Sequence, residues 1–71
     1  MKMPLCDFGK AIKIRLMDLG ESQKWLVKEV RDKTGLYFDG YYLHKIMIGK
    51  LATPKIVSAI QEILELEKED T

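Results

Sequence analysis

The chain has 71 residues, of which 46% are hydrophobic and 32% charged, and its formal net charge is +1. This length allows one domain and excludes a doubly wound sheet, a barrel enzyme or a two-domain architecture. The composition is that of a folded globular protein rather than of a disordered chain. We therefore expect a single domain over residues 1–71 with a small hydrophobic core.

The number of cysteines and the length of the apolar runs indicate where in the cell the protein is located. Cys6 is the only cysteine, which excludes a disulfide framework and is typical of a reducing environment. No apolar run approaches the roughly 18 residues of a membrane-spanning helix, and residues 1–6 are too short for the apolar core of a signal peptide. We therefore expect a soluble cytoplasmic protein without a membrane partner.

The charges are distributed unevenly along the chain. Residues 1–55 carry an excess of five positive charges, whereas residues 56–71 carry an excess of four negative charges, all of them at 62–71. A basic body with an acidic end suits an anionic partner on one side of the domain. The alternative is an ordinary solvated surface that ends in an acidic helix.

Two helices are predicted in the first half of the chain. Asp7 as an N-cap and Gly20 as a left-handed stop bound a first helix at about 8–19. Ser22 is a suitable N-cap for a second helix, which begins at 23 and fades near 33 or 34. In both segments the apolar residues recur at helical spacing.

The second half contains a loop and two further helices. Residues 34–38 lack helical periodicity, and Asp39 is the predicted N-cap of a short third helix over 40–48. Thr53 followed by Pro54 is a typical start of a fourth helix. No segment alternates with period two for long enough to form a sheet. The predicted fold class is therefore all-α, a compact four-helix domain.

The sequence offers no residue set that is typical of an active site. His44 is the only histidine, which excludes a histidine-rich metal cluster, and Cys6 lies ahead of the first helix, where chain ends fray. A chain this short has little room for a small-molecule pocket. The glycines are interpreted as helix punctuation rather than as a phosphate-binding loop: Gly9, Gly20, Gly35, Gly40 and Gly49. We expect no enzymatic activity, cofactor, metal site or small-molecule substrate.

From 20 to 54 the order and spacing of residues resemble the helix-turn-helix of the phage-repressor-like (Xre/Cro) family. That pattern has a second helix with Gly-x-Ser/Thr-Gln-x-x-Leu, a short recognition helix ending in x-Gly-Lys, and a Pro-headed fourth helix. The matching residues are Gly20, Ser22, Gln23, Leu26, Asp39, Leu43, Ile46, Gly49, Lys50 and Pro54. The resemblance covers 7 to about 64, places the helix-turn-helix at about 22–49 and implies a lambda-repressor-like domain.

The chain departs from this pattern in three places. Val27 stands where the family has Ala, and Met47 stands where an acidic residue is common. The connector is roughly six residues longer than the usual turn of about 3–4 residues. The extra residues either form a packed plug, through Leu36 or Phe38, or extend the surface toward phosphates. The second alternative uses Arg31, Lys33 and Thr34.

The resemblance implies which residues contact DNA. The third helix of such domains enters the major groove. Its exposed residues are predicted to contact bases: Gly40, Tyr41, His44 and Lys45. Contacts to backbone phosphates are assigned to Gln23, Lys24, Lys33, Thr34, Lys50 and Lys55. The implied function is a sequence-specific, repressor-like transcriptional regulator that binds double-stranded DNA. The alternative is a non-catalytic protein-interaction or inhibitor module on the same scaffold.

We also expect a homodimer, because helix-turn-helix proteins commonly bind two half-sites about 34 Å apart. Val57 and Leu66, with Ala59 as a third candidate, exceed what the core requires of the fourth helix and form the predicted interface. The alternative is that these residues are buried within one monomer.

The orientation of three aromatic side chains is also predicted. We expect Tyr42 to point inward and Tyr41 to point outward. Trp25 is at a position that faces solvent in the family pattern, where exposure would leave a large apolar area uncovered. It therefore packs on Tyr37 or Phe38 within the chain, or it marks an interface.

Overall fold

A computed structural model of the chain describes residues 4–66. It contains four helices: α1 (Asp7–Leu19), α2 (Gln23–Thr34), α3 (Gly40–Met47) and α4 (Pro54–Leu64). No strand occurs in this part of the chain, so the predicted all-α, four-helix class is confirmed. None of these helices is long and apolar enough to cross a membrane.

The start of α1 differs from the prediction. The helix begins at Asp7, and its N-cap is Cys6, whose Sγ accepts a hydrogen bond from the Gly9 amide at 3.4 Å. The amide of Cys6 donates to the carbonyl oxygen of Met47 at 2.9 Å. Cys6 is therefore held against the end of α3 rather than frayed.

The predicted caps of α2 and α3 are confirmed. Ser22 Oγ accepts a hydrogen bond from the Trp25 amide at 3.1 Å, and Asp39 Oδ1 accepts one from the Tyr42 amide at 2.8 Å. These bonds satisfy helix N–H groups that have no partner within the helix. Because each cap lies within three residues of its donor, the sequence pattern locates both helix starts.

The two ends of α4 are only partly as predicted. Pro54 is the first helical residue and Thr53 is at the N-cap position, but the Thr53 hydroxyl forms no cap bond. It instead shares a 2.6 Å hydrogen bond with the hydroxyl of Tyr42, which joins α3 to the start of α4. The helix ends at Leu64, with Glu65 in the left-handed conformation. Of the predicted acidic end, residues 67–71 lie outside the described residues.

One hydrophobic core lies between the four helices. It includes Phe38 of the connector, whose side chain is 1% exposed, whereas Leu36 is 40% exposed. Phe38 is therefore the packed plug, and Leu36 is not. Tyr42 points inward, with its ring centroid 5.0 Å from that of Phe38, and Tyr41 points outward, as predicted. The other buried hydrophobic residues are Ile12, Leu16, Leu26, Val27, Val30, Leu43, Ile46, Met47, Ile56, Ala59, Ile60 and Leu64.

Gly9 is a contact residue rather than the helix punctuation that the sequence suggested. It is buried in the first turn of α1, where an added Cβ would overlap the carbonyl oxygen of Met47 and lie 2.9 Å from its Cα. Only a residue without a side chain allows this approach. The backbone of α1 therefore lies directly against the C-terminal end of α3.

Trp25 is half-buried and packs against the core. This position confirms the prediction that Trp25 packs within the chain. Of its two expected partners, Phe38 belongs to the core cluster that Trp25 packs against, whereas Tyr37 is 75% exposed. The side chain covers the outer edge of the core on α2.

Candidate nucleic-acid interface

The exposed face of α3 carries the residues predicted to contact bases. Gly40, Tyr41 and His44 are exposed, and Lys45 is half-buried. The opposite face is buried through Leu43, Ile46 and Met47. Because the core fixes one face of this short helix, the positions of the other side chains relative to the domain are also fixed.

Two of these residues form a contact with each other. The Lys45 ammonium lies over the ring of Tyr41, with Nζ 5.1 Å from the ring centroid. The two residues are one helical turn apart, so their side chains are neighbours on the helix surface. An exposed contact of this kind contributes about 0.5–1 kcal/mol. It limits the directions in which the Lys45 side chain points.

Asp39 places a negative charge at the start of α3. Its Oδ2 accepts a hydrogen bond from the Tyr37 hydroxyl, and its Oδ1 accepts the cap bond from the Tyr42 amide. The Tyr37 bond first, and the cap bond second, hold the pKa of Asp39 below its usual value. The same bond and the carboxylate charge raise the pKa of Tyr37. Asp39 is therefore an ionised cap near neutral pH.

A surface cleft lies between one side of α2 and the start of α3. Its lining includes Gln23, Lys24, Arg31, Asp39 and Gly40. No atom of the chain lies within 4 Å of where a Cβ on Gly40 would be, so the approach to the backbone is open. The structure thus brings Gln23 and Lys24 together with a predicted base-contacting position.

Arg31 also lines this cleft. From the sequence it was named only in the alternative that extends the connector toward phosphates, together with Lys33 and Thr34, whereas the structure places it with Lys24. Arg31 lies two helical turns beyond Lys24, and such spacing returns a side chain to the same face of a helix. A second cation therefore lines the cleft that reaches the start of α3.

Three of the predicted phosphate contacts lie elsewhere. Lys33, Thr34 and Lys55 line a different cleft, between the end of α2 and α4. Lys33 is about 15 Å further along α2 than Gln23. This group is therefore separate from Gln23 and Lys24 on the surface of the domain.

Two members of that second group already have intramolecular partners. Lys33 Nζ lies 3.0 Å from Glu62 Oε1. The Thr34 hydroxyl donates to the carbonyl of Val30 at 2.8 Å and accepts a hydrogen bond from the Leu36 amide at 3.1 Å. A phosphate contact here would compete with existing bonds.

Lys50 follows α3 in the turn that leads to α4. Its amide donates to the carbonyl oxygen of Lys45 at 2.9 Å, and its side chain is exposed. The described part of the chain has three ion pairs, Arg15–Glu65, Lys28–Asp32 and Lys33–Glu62. Within residues 4–66, four cations near α3 form no ion pair: Lys24, Arg31, Lys45 and Lys50. Arg31 nevertheless interacts with Asp39, because its charge, after the hydrogen bonds from Tyr37 and Tyr42, also lowers the pKa of that carboxylate.

The predicted dimer residues are less exposed than the sequence indicated. Val57 is half-buried, and Ala59, the third candidate, is buried and belongs to the core side of α4. Leu66 is half-buried and packs against the core. The end of α4 is also held from within the chain, because Arg15 Nε donates to the Leu64 carbonyl at 2.8 Å.

Within the described residues, no three His, Cys, Asp or Glu side chains are grouped as metal ligands would be. This surface is distinguished by exposed cations on α2, Lys24 and Arg31, and by the exposed Tyr41 and His44 on α3. Comparisons with models of known families, with curated proteins and with solved structures find no match to the chain.

Proposed function

We propose that this protein is a sequence-specific regulator of transcription that binds double-stranded DNA in the cytoplasm, with α3 in the major groove. The observation that supports the proposal is the exposed face of α3 with Tyr41, His44 and Lys45, together with the cleft in which Gly40, the first residue of α3, meets Lys24 and Arg31. DNA-binding domains combine side chains that reach base edges with cations that contact phosphates. The protein needs no cofactor for this activity and is not an enzyme.

In this arrangement the start of α2 binds the DNA backbone. Gln23 is the first residue of α2, where helix N–H groups and the helix dipole favour a phosphate. Lys24 and Arg31 add positive charge on the same side. Lys50 contacts the backbone beyond the other end of α3. These contacts set the position of the domain on DNA without reading the sequence.

Sequence is read by α3. Lys45 donates to the O6 and N7 atoms of guanine, which is a common specific contact in the major groove. His44 donates to a base or to a phosphate, and Tyr41 contacts a thymine methyl group or a phosphate. Gly40 has no side chain and permits close approach of its backbone. The contact between Tyr41 and Lys45 orients the lysine before DNA binds.

A second class of function has an observation in its favour. The connector and α3 expose the aromatic side chains of Tyr37 and Tyr41, which are four residues apart in sequence. Exposed aromatic residues are enriched in protein interfaces, so a protein-interaction or inhibitor module would use the same face. The two functions differ in their response to salt, because only DNA binding releases counterions from phosphates.

The test is binding of the full chain to a duplex of random sequence, measured by fluorescence anisotropy from about 50 to 200 mM salt. The proposal predicts binding at low salt that weakens steeply as salt rises. Selection from a random duplex pool then yields an enriched site that binds more tightly than the random duplex. Absence of binding at low salt would contradict the DNA-binding function and would favour the protein-interaction or inhibitor module.

A protein of this size reads few base pairs with one recognition helix, so the proposal includes two copies on two half-sites. The selected sites should accordingly be palindromic. The interface through Val57 and Leu66 stays a prediction, and both residues are half-buried.

A further inference from the structure

A carboxylate lies in the cationic cleft at the start of α3. Asp39 lines this cleft together with Lys24, Arg31 and Gly40, and it is the only acidic residue among the described residues that do so. A negative charge at this place repels DNA phosphates. Capping α3 does not require the charge, because serine and asparagine cap helices about as well as aspartate. The cap bond alone therefore does not account for an aspartate here.

Two hydrogen bonds hold the Asp39 carboxylate in one orientation. Its Oδ1 accepts from the Tyr42 amide at 2.8 Å, and its Oδ2 accepts from the Tyr37 hydroxyl. The bond from Tyr37 first, the bond from Tyr42 second, and then the Tyr41 amide and the Arg31 charge lower its pKa, so the group is ionised at neutral pH. An ionised carboxylate has about four acceptor sites and no donor. Asp39 is thus a fixed group that accepts further hydrogen bonds and donates none.

Cytosine is the base whose major-groove edge matches such a group. It presents the N4 amino donor without an acceptor of its own, whereas guanine and thymine present acceptors and adenine presents N7 beside its N6 amino group. A carboxylate therefore binds cytosine and is repelled by the acceptor atoms of the other three bases. No atom lies within 4 Å of where a Cβ on Gly40 would be, so a base edge has room to approach beside Asp39.

We propose that Asp39 is a specificity-determining residue that selects cytosine at the base position facing the start of α3. This inference rests on the proposed DNA-binding function and adds to it a base-reading residue outside the helix itself. Lys45 lies six residues further on, about 9 Å along the helix, and so reads a different position. Lys24 and Arg31 attract the phosphates near Asp39, so the carboxylate discriminates between bases without preventing DNA binding.

The test is the base preference of Asp39→Asn. Asparagine keeps the cap but replaces one acceptor oxygen by an amino donor. Affinity is measured for versions of the parent's selected duplex that carry each of the four bases at each position. At one position the parent should bind cytosine about tenfold more tightly than any other base, and Asp39→Asn should lose this preference. Its affinity for a random duplex should not fall, because the variant removes a charge that repels phosphates. A capping role alone would leave the base preference unchanged.

Asp18→Asn is the matched control, because Asp18 is an exposed carboxylate on α1 that forms no ion pair within residues 4–66 and does not line the cleft. It should keep the parent's preference. Asp39→Ser, which also keeps a capping oxygen, should lose it, and circular dichroism identifies the folded variants.

A cytosine preference that survives in a folded Asp39 variant, or that Asp18→Asn also loses, would overturn the proposal. A parent that selects a site in which no position requires cytosine would overturn it and leave the DNA-binding function intact. Absence of parent binding to any duplex would overturn both.

Discussion

The carbonyl oxygen of Met47, the last residue of α3, lies directly against the Cα of Gly9 in the first turn of α1. The same oxygen accepts a hydrogen bond from the Cys6 amide at 2.9 Å. The end of the proposed recognition helix is thus fixed by backbone contacts from α1. At the other end, the Asp39 cap fixes the start of α3. Both ends of the helix are held by groups that are outside it.

Gly9→Ala should destabilise the domain. The added methyl group overlaps the backbone of Met47, which cannot rotate away as a side chain would. Overpacking of this kind costs about 1–3 kcal/mol, measured as a loss of unfolding free energy in urea. Gly40→Ala is the matched control, because no atom lies within 4 Å of its added Cβ. If Gly9→Ala were as stable as Gly40→Ala, α1 and α3 would not be in backbone contact.

Phe38→Ala should be among the most destabilising changes in the connector. Phe38 is buried against Tyr42, so removing its ring leaves a cavity next to α3. Substitutions of buried phenylalanine by alanine cost about 3–5 kcal/mol. Leu36→Ala, two residues earlier and partly exposed, should cost much less. Thermal unfolding of the two variants checks this difference, and similar losses in both would contradict the role of Phe38 as the plug.

Stability at acidic pH should depend on Asp39. The pKa of Asp39 is lowered in the folded protein, first by the hydrogen bond from Tyr37 and then by the cap bond from Tyr42. Its contribution to stability is therefore fully present above the ordinary pKa of 3.8, and it is lost as the pH falls through the lower folded value.

Tyr37→Phe removes the hydrogen bond from the Tyr37 hydroxyl, which is the larger cause of the lowered Asp39 pKa. As the pH falls, the variant should therefore lose stability at a higher pH than the parent. Thermal unfolding followed by circular dichroism from about pH 5 to pH 2 measures the shift. The Asp39 pKa, measured by NMR titration of the side chain, should rise in the same variant. Identical acid profiles for the variant and the parent would show that the Tyr37 hydroxyl does not stabilise the carboxylate.

Lys50→Ala and Gln23→Ala should weaken binding to all duplexes alike, because both residues contact phosphates in the proposed complex. Only Lys50→Ala should reduce the slope of log affinity against log salt, by about one unit, since glutamine displaces no counterion. Lys28→Ala is the control on the same helix as Gln23. Lys28 is exposed, pairs with Asp32 at 2.9 Å and does not line the cleft at α3. An equal change of slope in Lys28→Ala would place the phosphates on another face.

The predictable parts of the fold depend on residues close in sequence. Ser22 and Asp39 act on amides three residues away, so their spacing alone locates the starts of α2 and α3. One local bond was missed, because Cys6 rather than Asp7 caps α1. The other bonds that sequence reasoning missed join distant segments. The Cys6 amide donates to the Met47 carbonyl oxygen because α1 packs against the end of α3. The Thr53 hydroxyl shares a hydrogen bond with the Tyr42 hydroxyl instead of capping α4.

The same distinction applies to the candidate site. The exposed face of α3 follows from its apolar periodicity, because Leu43 and Ile46 must be buried. The residues assigned to phosphate contacts lie in two separate clefts, and the sequence could not predict this separation. It depends on where the end of α2 meets α4, and hence on the pairing of Lys33 with Glu62. Nothing in the local pattern around either residue specifies that contact.

Binding of Lys45→Ala to the selected duplex is the most direct test that α3 reads DNA. The variant should bind that duplex more weakly by about 1–3 kcal/mol and should lose discrimination at one base position. Its free energy of unfolding should fall by no more than about 1 kcal/mol, which is the contribution of the lost contact with Tyr41. Leu43→Ala, on the buried face, should instead lose binding by unfolding. If folded Lys45→Ala binds the selected duplex as tightly as the parent, α3 does not read the sequence through this residue.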